Sequence, residues 1–186
     1  MAETSAPQSA GVDMDFLGGF VERWEAAWNS HQPERVLELM TEDIVYDDSA
    51  WPRTMRGHGD VREFLAALWR GMPDLAFEMV EGPFLHAGKP VATSYWKGTG
   101  TFTGLLDPPG FAPTGARLEI DGFDLQEYRD GRVCRLRVVT DMLEASRQLG
   151  LMPAQGSRVE KAGAAAQRLG MQMRNRMRRS GEGHGG

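Results

Sequence analysis

Three side chains in the C-terminal half of the sequence are of the right type for acid–base chemistry: Asp124, Arg137 and Asp141. An aspartate can take a proton from an activated carbon, and burial raises its pKa and makes it a better base. Asp141 stands where a β-prone run gives way to a short helical pattern, Met142 to Gln148. A carboxylate at that junction either caps the new helix, by accepting backbone N–H bonds, or stands at a cavity mouth as an acid–base group. Residue type alone favours the cap. Strand alternation places Asp141 on one face with Arg135, Arg137 and Val139, opposite Cys134, Leu136 and Val138. An arginine on that face would keep Asp141 ionised or bind a substrate carbonyl oxygen. Asp124, on the preceding run, either acts on substrate or forms a structural ion pair with Arg137; Asp121 falls on the opposite face by parity. Tyr46, Trp51, Trp69 and Trp96 suit a flat polycyclic ligand through stacking and phenolic hydrogen bonding, although for Trp69 the core is the better place.

Composition narrows what these residues can serve. The chain has 186 residues, 41% hydrophobic and 25% charged, which suits one globular domain with an extension. No apolar run is long enough to span a bilayer, and the first residues have neither the basic start nor the apolar middle of a secretory signal. Cys134 is the single cysteine, so an intramolecular disulfide framework is excluded and a reducing, cytoplasmic setting is expected. Its alternation with Leu136 and Val138 marks it as a buried structural thiol. There is no Cys/His cluster with zinc spacing and no Gly-rich phosphate loop, so neither a metal nor another cofactor is expected. The net charge of −5 is uneven: residues 157–180 carry +6 and the remainder −11. An acidic body argues against DNA or RNA binding by the main domain.

The elements that must position these groups follow from periodicity. From Asp13, the residues Phe16, Leu17, Phe20, Val21, Trp24, Ala27 and Trp28 form an apolar stripe at helical spacing, weakened by Gly18-Gly19. Trp24 and Trp28 either line a ligand cavity or pack against a sheet, and packing is the commoner use. Asn29 to Pro33 breaks that helix, Pro33 opens a second, and His31 reads as a solvated loop histidine. Thr41 to Asp48 is a first strand in which Ile44 and Tyr46 share a face, with Asp47 and Asp48 read as turn formers. Trp51 to Gly57 reads as a loop that leaves Trp51 exposed unless something covers it. A third helix begins near Asp60 and carries Val61, Phe64, Leu65, Leu68, Trp69 and Met72. Leu75, Phe77 and Met79 alternate as a second strand; hairpin-like turns follow at 87–90 and, with a type I′ signal, at Asp130-Gly131. Helices first and long antiparallel strands after them predict an α+β fold, with helices on one face of a curved sheet and a conical, apolar pocket between.

The ordered set of motifs resembles the SnoaL-like, polyketide-cyclase branch of the nuclear transport factor 2-like superfamily. The motifs run from Trp24–Trp28-Asn29 through Asp43-Ile-Val-Tyr46-Asp-Asp48 and Pro73-Asp74-Leu75. They continue with Trp96-Lys-Gly98-Thr99-Gly100-Thr101, Gly104, Pro113-Thr114-Gly115 and Tyr128-Arg-Asp-Gly131-Arg-Val133, and end at Asp141 before Gln148-Leu149-Gly150. The resemblance implies a cone-shaped fold over residues 13–153 and a hydrophobic small-molecule substrate. It also implies a homodimer and cofactor-independent ring closure of aldol type, with Asp141 as the acid–base residue. Ketosteroid isomerase, whose Asp base works beside donors in an apolar site, shows that such chemistry needs little more. Arg135-Leu136-Arg137 departs from the Glu-His-Trp-like residues that relatives commonly carry there. The superfamily also includes isomerases, epoxide hydrolases and proteins that only bind ligands. Hydrolysis would need a carboxylate–arginine–carboxylate set around a water, for which Asp141, Arg137 and Asp124 are the candidates.

Outside that span, residues 1–12 are expected to be disordered. Residues 154–180 are expected to form a basic amphipathic helix with Val159, Ala162, Ala166, Leu169, Met173 and Met177 on one stripe. Such a helix suits contact with an acidic surface. Residues 181–186 are expected to be a disordered tail.

Overall fold

The computed structural model describes residues 12–182, with side chains as far as residue 175; of the termini expected to be disordered, 1–12 and 181–186, residues 1–11 and 183–186 lie outside the described residues. Helix α1, Met14–Asn29, begins where Asp13 accepts a hydrogen bond from the Phe16 backbone N–H at 2.8 Å. A cap of this kind contributes about 1 kcal/mol. The stripe read from the sequence is buried at Leu17, Phe20, Trp24, Ala27 and Trp28, whereas Gly18 and Gly19 fall on the solvent face. Helix α2 is the short turn Pro33–Leu37, with proline at its start. Helix α3, Gly57–Gly71, places Asp60 in its first turn, where the carboxylate accepts from Arg56 N–H at 2.9 Å.

Six strands make one sheet: β1 Met40–Asp48, β2 Met55–Arg56, β3 Ala76–Leu85, β4 Val91–Thr101, β5 Arg117–Arg129 and β6 Arg132–Thr140. Their order is β2-β1-β6-β5-β4-β3. Among the described residues only the β1–β6 pair is parallel. The sheet curves without closing, and α1, α2 and α3 cover its concave face. Helix α4, Met142–Gln148, closes one end, and α5, Arg158–Glu182, continues beyond it. Asp130 and Gly131, with φ of 51° and 74°, both take the left-handed conformation that a two-residue hairpin of this twist demands.

Alternation along β4, β5 and β6 assigns the two faces. Ala92, Ser94, Trp96, Leu118, Asp124, Gln126, Tyr128 and Leu136 are buried on the inner face, whereas Phe123, Leu125 and Val139 are exposed on the outer one. At Gly122 a Cβ would sit 2.5 Å from the Trp96 ring and 2.7 Å from the Val139 carbonyl, so only glycine lets that indole lie across β5.

Several expectations are corrected. The stretch 51–57 is not wholly loop, since β2 pairs with β1 through Val45–Arg56 and Tyr46–Met55. Trp51 is buried because the Phe64 ring meets it edge-on at 5.3 Å. His31 is not a solvated histidine: its Nε2 lies 2.6 Å from the Leu75 carbonyl and its ring stacks on Trp69 at 5.2 Å. That contact ties the α1–α2 connector to the start of β3. Asp47 and Asp48 end β1, and Asp48 also opens the turn that follows, accepting the Ala50 N–H on Oδ1 and the Trp51 N–H on its carbonyl. The thiol of Cys134 is half-buried, donates to the Glu127 carbonyl at 3.4 Å, and has its pKa pushed up by burial. Helix α5 runs on to Glu182, past the expected end at 180, and its stripe residues Val159, Leu169 and Met173 are exposed. Arg147 on α4 and Glu160 pair at 3.0 Å and fix its first turn.

Candidate functional site

Between the concave face of the sheet and the helices lies a cavity of about 210 Å³. That is more than ten times the ~15 Å³ a single water requires, so the space is ligand-sized. Its walls are aromatic: Trp24 and Trp28 from α1, Tyr46 and Trp51 beside β1, Phe64 from α3, Phe77 from β3 and Trp96 from β4. Met142, Ala145 and Leu149 add to the wall, as do Pro108, Pro109 and Phe111 of the 106–111 loop. That loop is held by two backbone bonds between Leu106 and Phe111. The acids in the lining are Glu25, Asp48, Glu78 and Asp124, and no Lys, Arg or His joins them among the described residues. An anionic ligand is therefore disfavoured.

Asp124 stands in this wall at 3% exposure. One carboxylate oxygen accepts from Ser94 N–H at 3.1 Å, and the other accepts from the Gln126 side-chain amide at 2.6 Å. The Gln126 amide oxygen in turn accepts from the Tyr128 hydroxyl at 2.5 Å. Phe16 and Phe20 of α1 meet the Tyr128 ring edge-on, at 5.6 and 5.1 Å. The chain of contacts thus runs from the first helix to the acid, and it leaves Asp124 little rotational freedom. Burial pushes its pKa up to about 6, against the opposing pull of the Gln126 and Ser94 donors.

A second carboxyl, Asp48, lines the same cavity. Tyr46 donates its hydroxyl proton to Asp48 Oδ2 at 2.6 Å, and Ala50 N–H donates to Oδ1 at 2.8 Å. Burial raises the Asp48 pKa, and both donors oppose the shift. Tyr46 is fully enclosed, and burial followed by the neighbouring Asp48 charge drives its phenol well above the ordinary range.

The structure separates the residues that the sequence grouped. Asp141 is exposed and lies outside the cavity wall. Its Oδ1 accepts from Leu143 and Glu144 N–H, both at 3.0 Å, which makes it the N-cap of α4. The physical reason is the polarity of β6: Leu136 and Val138 turn inward, so Arg135, Arg137 and Val139 turn outward. Arg137 pairs in register with Leu125 and Asp47 on the outer face, beside Arg53 in a shallow groove. It makes no ion pair with Asp124, and the carboxylate–arginine–carboxylate set required for hydrolysis does not converge. Tyr46, Trp51 and Trp96 do face one cavity with Asp124, whereas Trp69 lies behind the wall against Trp28 and His31. The indole N–H groups of Trp28 and Trp51 are buried without a protein acceptor. No group of three or more His, Cys, Asp or Glu side chains among the described residues is arranged to hold a metal ion.

Sequence reasoning passed over Gln126 and Tyr128, read Asp48 as a turn former, and preferred packing to cavity lining for Trp24 and Trp28, both of which line the cavity. The signal was present in parity. Asp124, Gln126 and Tyr128 continue the face of the apolar Leu118 and Ile120, and Asp48 continues the face of Ile44 and Tyr46. A polar residue in step with a buried face is the mark of a pocket.

Solved structures share this architecture at low identity. AclR, a candidate hydroxylase from Streptomyces galilaeus, superposes with a TM-score of 0.64 at 20% identity, over 88% of this chain and 98% of its own. A candidate SnoaL-like polyketide cyclase from Jannaschia sp. CCS1 gives 0.64 at 19% identity, over 82% and 100%. A protein of ketosteroid isomerase-like fold from Catenulispora acidiphila, in complex with trimethylamine, gives 0.60 at 19% identity, over 74% and 96%. No curated protein matches the chain. Residues 21–136, a span that includes Asp48 and Asp124 and stops short of Asp141, match the SnoaL-like domain, and the chain belongs to that family within the nuclear transport factor 2-like fold.

Proposed function

We propose that the cavity performs acid–base catalysed ring closure, of aldol type, on a hydrophobic polyketide-like substrate, with Asp124 as the base. The observation that carries this reading is the placement of Asp124: a carboxyl at 3% exposure, in the wall of an aromatic cavity, with its pKa raised to about 6. A base poised near neutral pH is ionised at the operating pH yet still basic enough to take a carbon-bound proton. Membership of the SnoaL-like family and the cyclase-type neighbours support the same class of reaction. The role expected of Asp141 passes to Asp124, because a proton acceptor has to reach the substrate and Asp141 is engaged outside the cavity.

The lining narrows the substrate. Aromatic walls suit stacked rings, and an acidic lining without cations suits a neutral ester rather than a free acid. Oxygen atoms on such a ring system would offer acceptors to the Trp28 and Trp51 indole N–H groups, which the protein leaves unpaired.

The test is turnover of aryl polyketide methyl esters by the wild-type chain and by Asp124→Asn. The variant is expected to lose about 10² to 10⁴-fold in kcat, the usual share of a positioned base, while still quenching Trp fluorescence on binding the ester. Turnover that survives the substitution would remove Asp124 from the chemistry.

A further inference from the structure

Register fixes where the second acid of the cavity stands. Asp48 on β1 pairs with Val138 on β6, and Val138 pairs with Asp124 on β5. The three residues make one row across the inner face, so the two acids flank Val138 at two strand spacings, about 10 Å between their Cα atoms. The adjacent row holds Tyr46, Leu136 and Gln126 in the same order. Each acid is therefore braced by its own strand neighbour two positions away. Tyr46 donates to Asp48 and Gln126 donates to Asp124, each at 2.6 Å.

We propose that Asp48, oriented by Tyr46, is the proton donor that completes the reaction Asp124 begins, delivering its proton to the substrate carbonyl oxygen that becomes the new hydroxyl. This rests on the reading of Asp124 as the base. The Asp124 carboxylate takes a proton from the activated carbon, and the electron pair released forms the new C–C bond to the electrophilic carbonyl carbon. The carbonyl π pair moves onto its oxygen, which receives the Asp48 proton. One proton has then moved from carbon to Asp124 and one from Asp48 to oxygen; exchange with water resets both acids, and no other reactant is consumed.

Asp48 is the fitting donor rather than Tyr46. The Tyr46 proton is already committed to Asp48, and its phenol is held far above the ordinary range. Burial favours the protonated form of Asp48. The charged and titratable groups around it are few. They are Tyr46 on its own strand, Asp124 across Val138, Glu25 and Glu78 elsewhere in the wall, and Asp47, Arg53 and Arg137 along the outer groove. Helices α3 and α4 turn only uncharged side chains toward the cavity.

The two acids are separable by experiment, because removing the proton from carbon needs only the base whereas closing the ring needs both. An aryl triketide methyl ester is incubated in deuterium oxide with the full chain, and exchange at the activated carbon is followed by NMR beside ring closure. Asp124→Asn is expected to lose both. Asp48→Asn is expected to lose closure by at least about 100-fold while exchange stays within roughly threefold. Equal loss of both activities in Asp48→Asn, or loss of neither, overturns the assignment. A wild-type chain that does neither overturns the base and the donor together, a result unlike failure at Asp48 alone. Should Asp48→Asn unfold, Tyr46→Phe carries the test. Removing a donor from the Asp48 carboxylate raises its pKa, so the alkaline limb of the closure profile should move to higher pH, and an unmoved limb refutes the proposal.

Discussion

Asp124 and Asp141 are the same side chain in opposite settings, one in mid-strand on the inner face of β5 and the other exposed at the start of α4. Asp141 accepts two backbone N–H bonds in water-rich surroundings, which is a structural task that any cap performs. Asp124 accepts two donors of its own inside an aromatic wall, where burial outweighs them and its pKa rises to about 6. Hydrogen bonds are thus equal in number and do not distinguish the two acids. Desolvation does. The largest expected contrast is in turnover: Asp124→Asn should lose about 10² to 10⁴-fold in kcat, and Asp141→Asn should leave kcat within about twofold, since kcat reports only groups that change between ground and transition state. Steady-state kinetics on the two purified variants settle the ranking, and equal losses would end the distinction.

Stability should reverse that order. A carboxyl whose pKa is about 6 in the fold and near 3.9 in the unfolded chain favours folding in its protonated form. Its contribution is fully present below about pH 4 and is lost as pH rises through 6, to an upper bound of about 3 kcal/mol. Asp124→Asn removes the penalty, so the inactive variant should unfold at a higher temperature than wild type at pH 7.5, with the gap closing near pH 4. A calorimetric series across that range reads the effect directly. A gap that stays constant with pH would mean that Asp124 is solvated despite its position.

The brace on Asp124 gives an intermediate effect. Gln126→Leu deletes the amide that donates to the charged carboxylate and leaves burial in place, so the pKa should climb further. The acidic limb of the pH–rate profile is expected to move up by about one pH unit, since a hydrogen bond to a charged group contributes roughly 1.5–3 kcal/mol. Tyr128→Phe, acting one bond further out, should shift it in the same direction by less.

Much of the fold was legible in the sequence. The stripe of α1, proline at the start of α2, the Asp130-Gly131 hairpin and the helices-then-strands order all express local periodicity or turn chemistry, which a linear pattern records. The site was legible only in part. Parity correctly set Asp141 with Arg137 and against Leu136, but it could not say which of the two faces the helices would cover. That choice is tertiary: it depends on the Trp24, Trp28 and Phe64 surfaces meeting Leu136 and Val138 rather than Val139. Asp48 was hidden for a similar reason. Two adjacent aspartates read as a turn until the parallel pairing of β1 with β6, distant in sequence, turns one of them inward beside Val138.

The smallest effect tests the quieter member of the pair. Asp141→Ala leaves the N–H groups of Leu143 and Glu144 without their side-chain acceptor, at an expected loss of about 1 kcal/mol in unfolding free energy. Because α4 and its C-cap contribute Met142, Ala145 and Leu149 to the cavity wall, a frayed first turn loosens that wall without touching Asp48 or Asp124. Ligand affinity should then weaken slightly while the pH–rate limbs stay where they are. A movement of those limbs in Asp141→Ala would mean that the exposed acid is electrostatically coupled to the cavity after all.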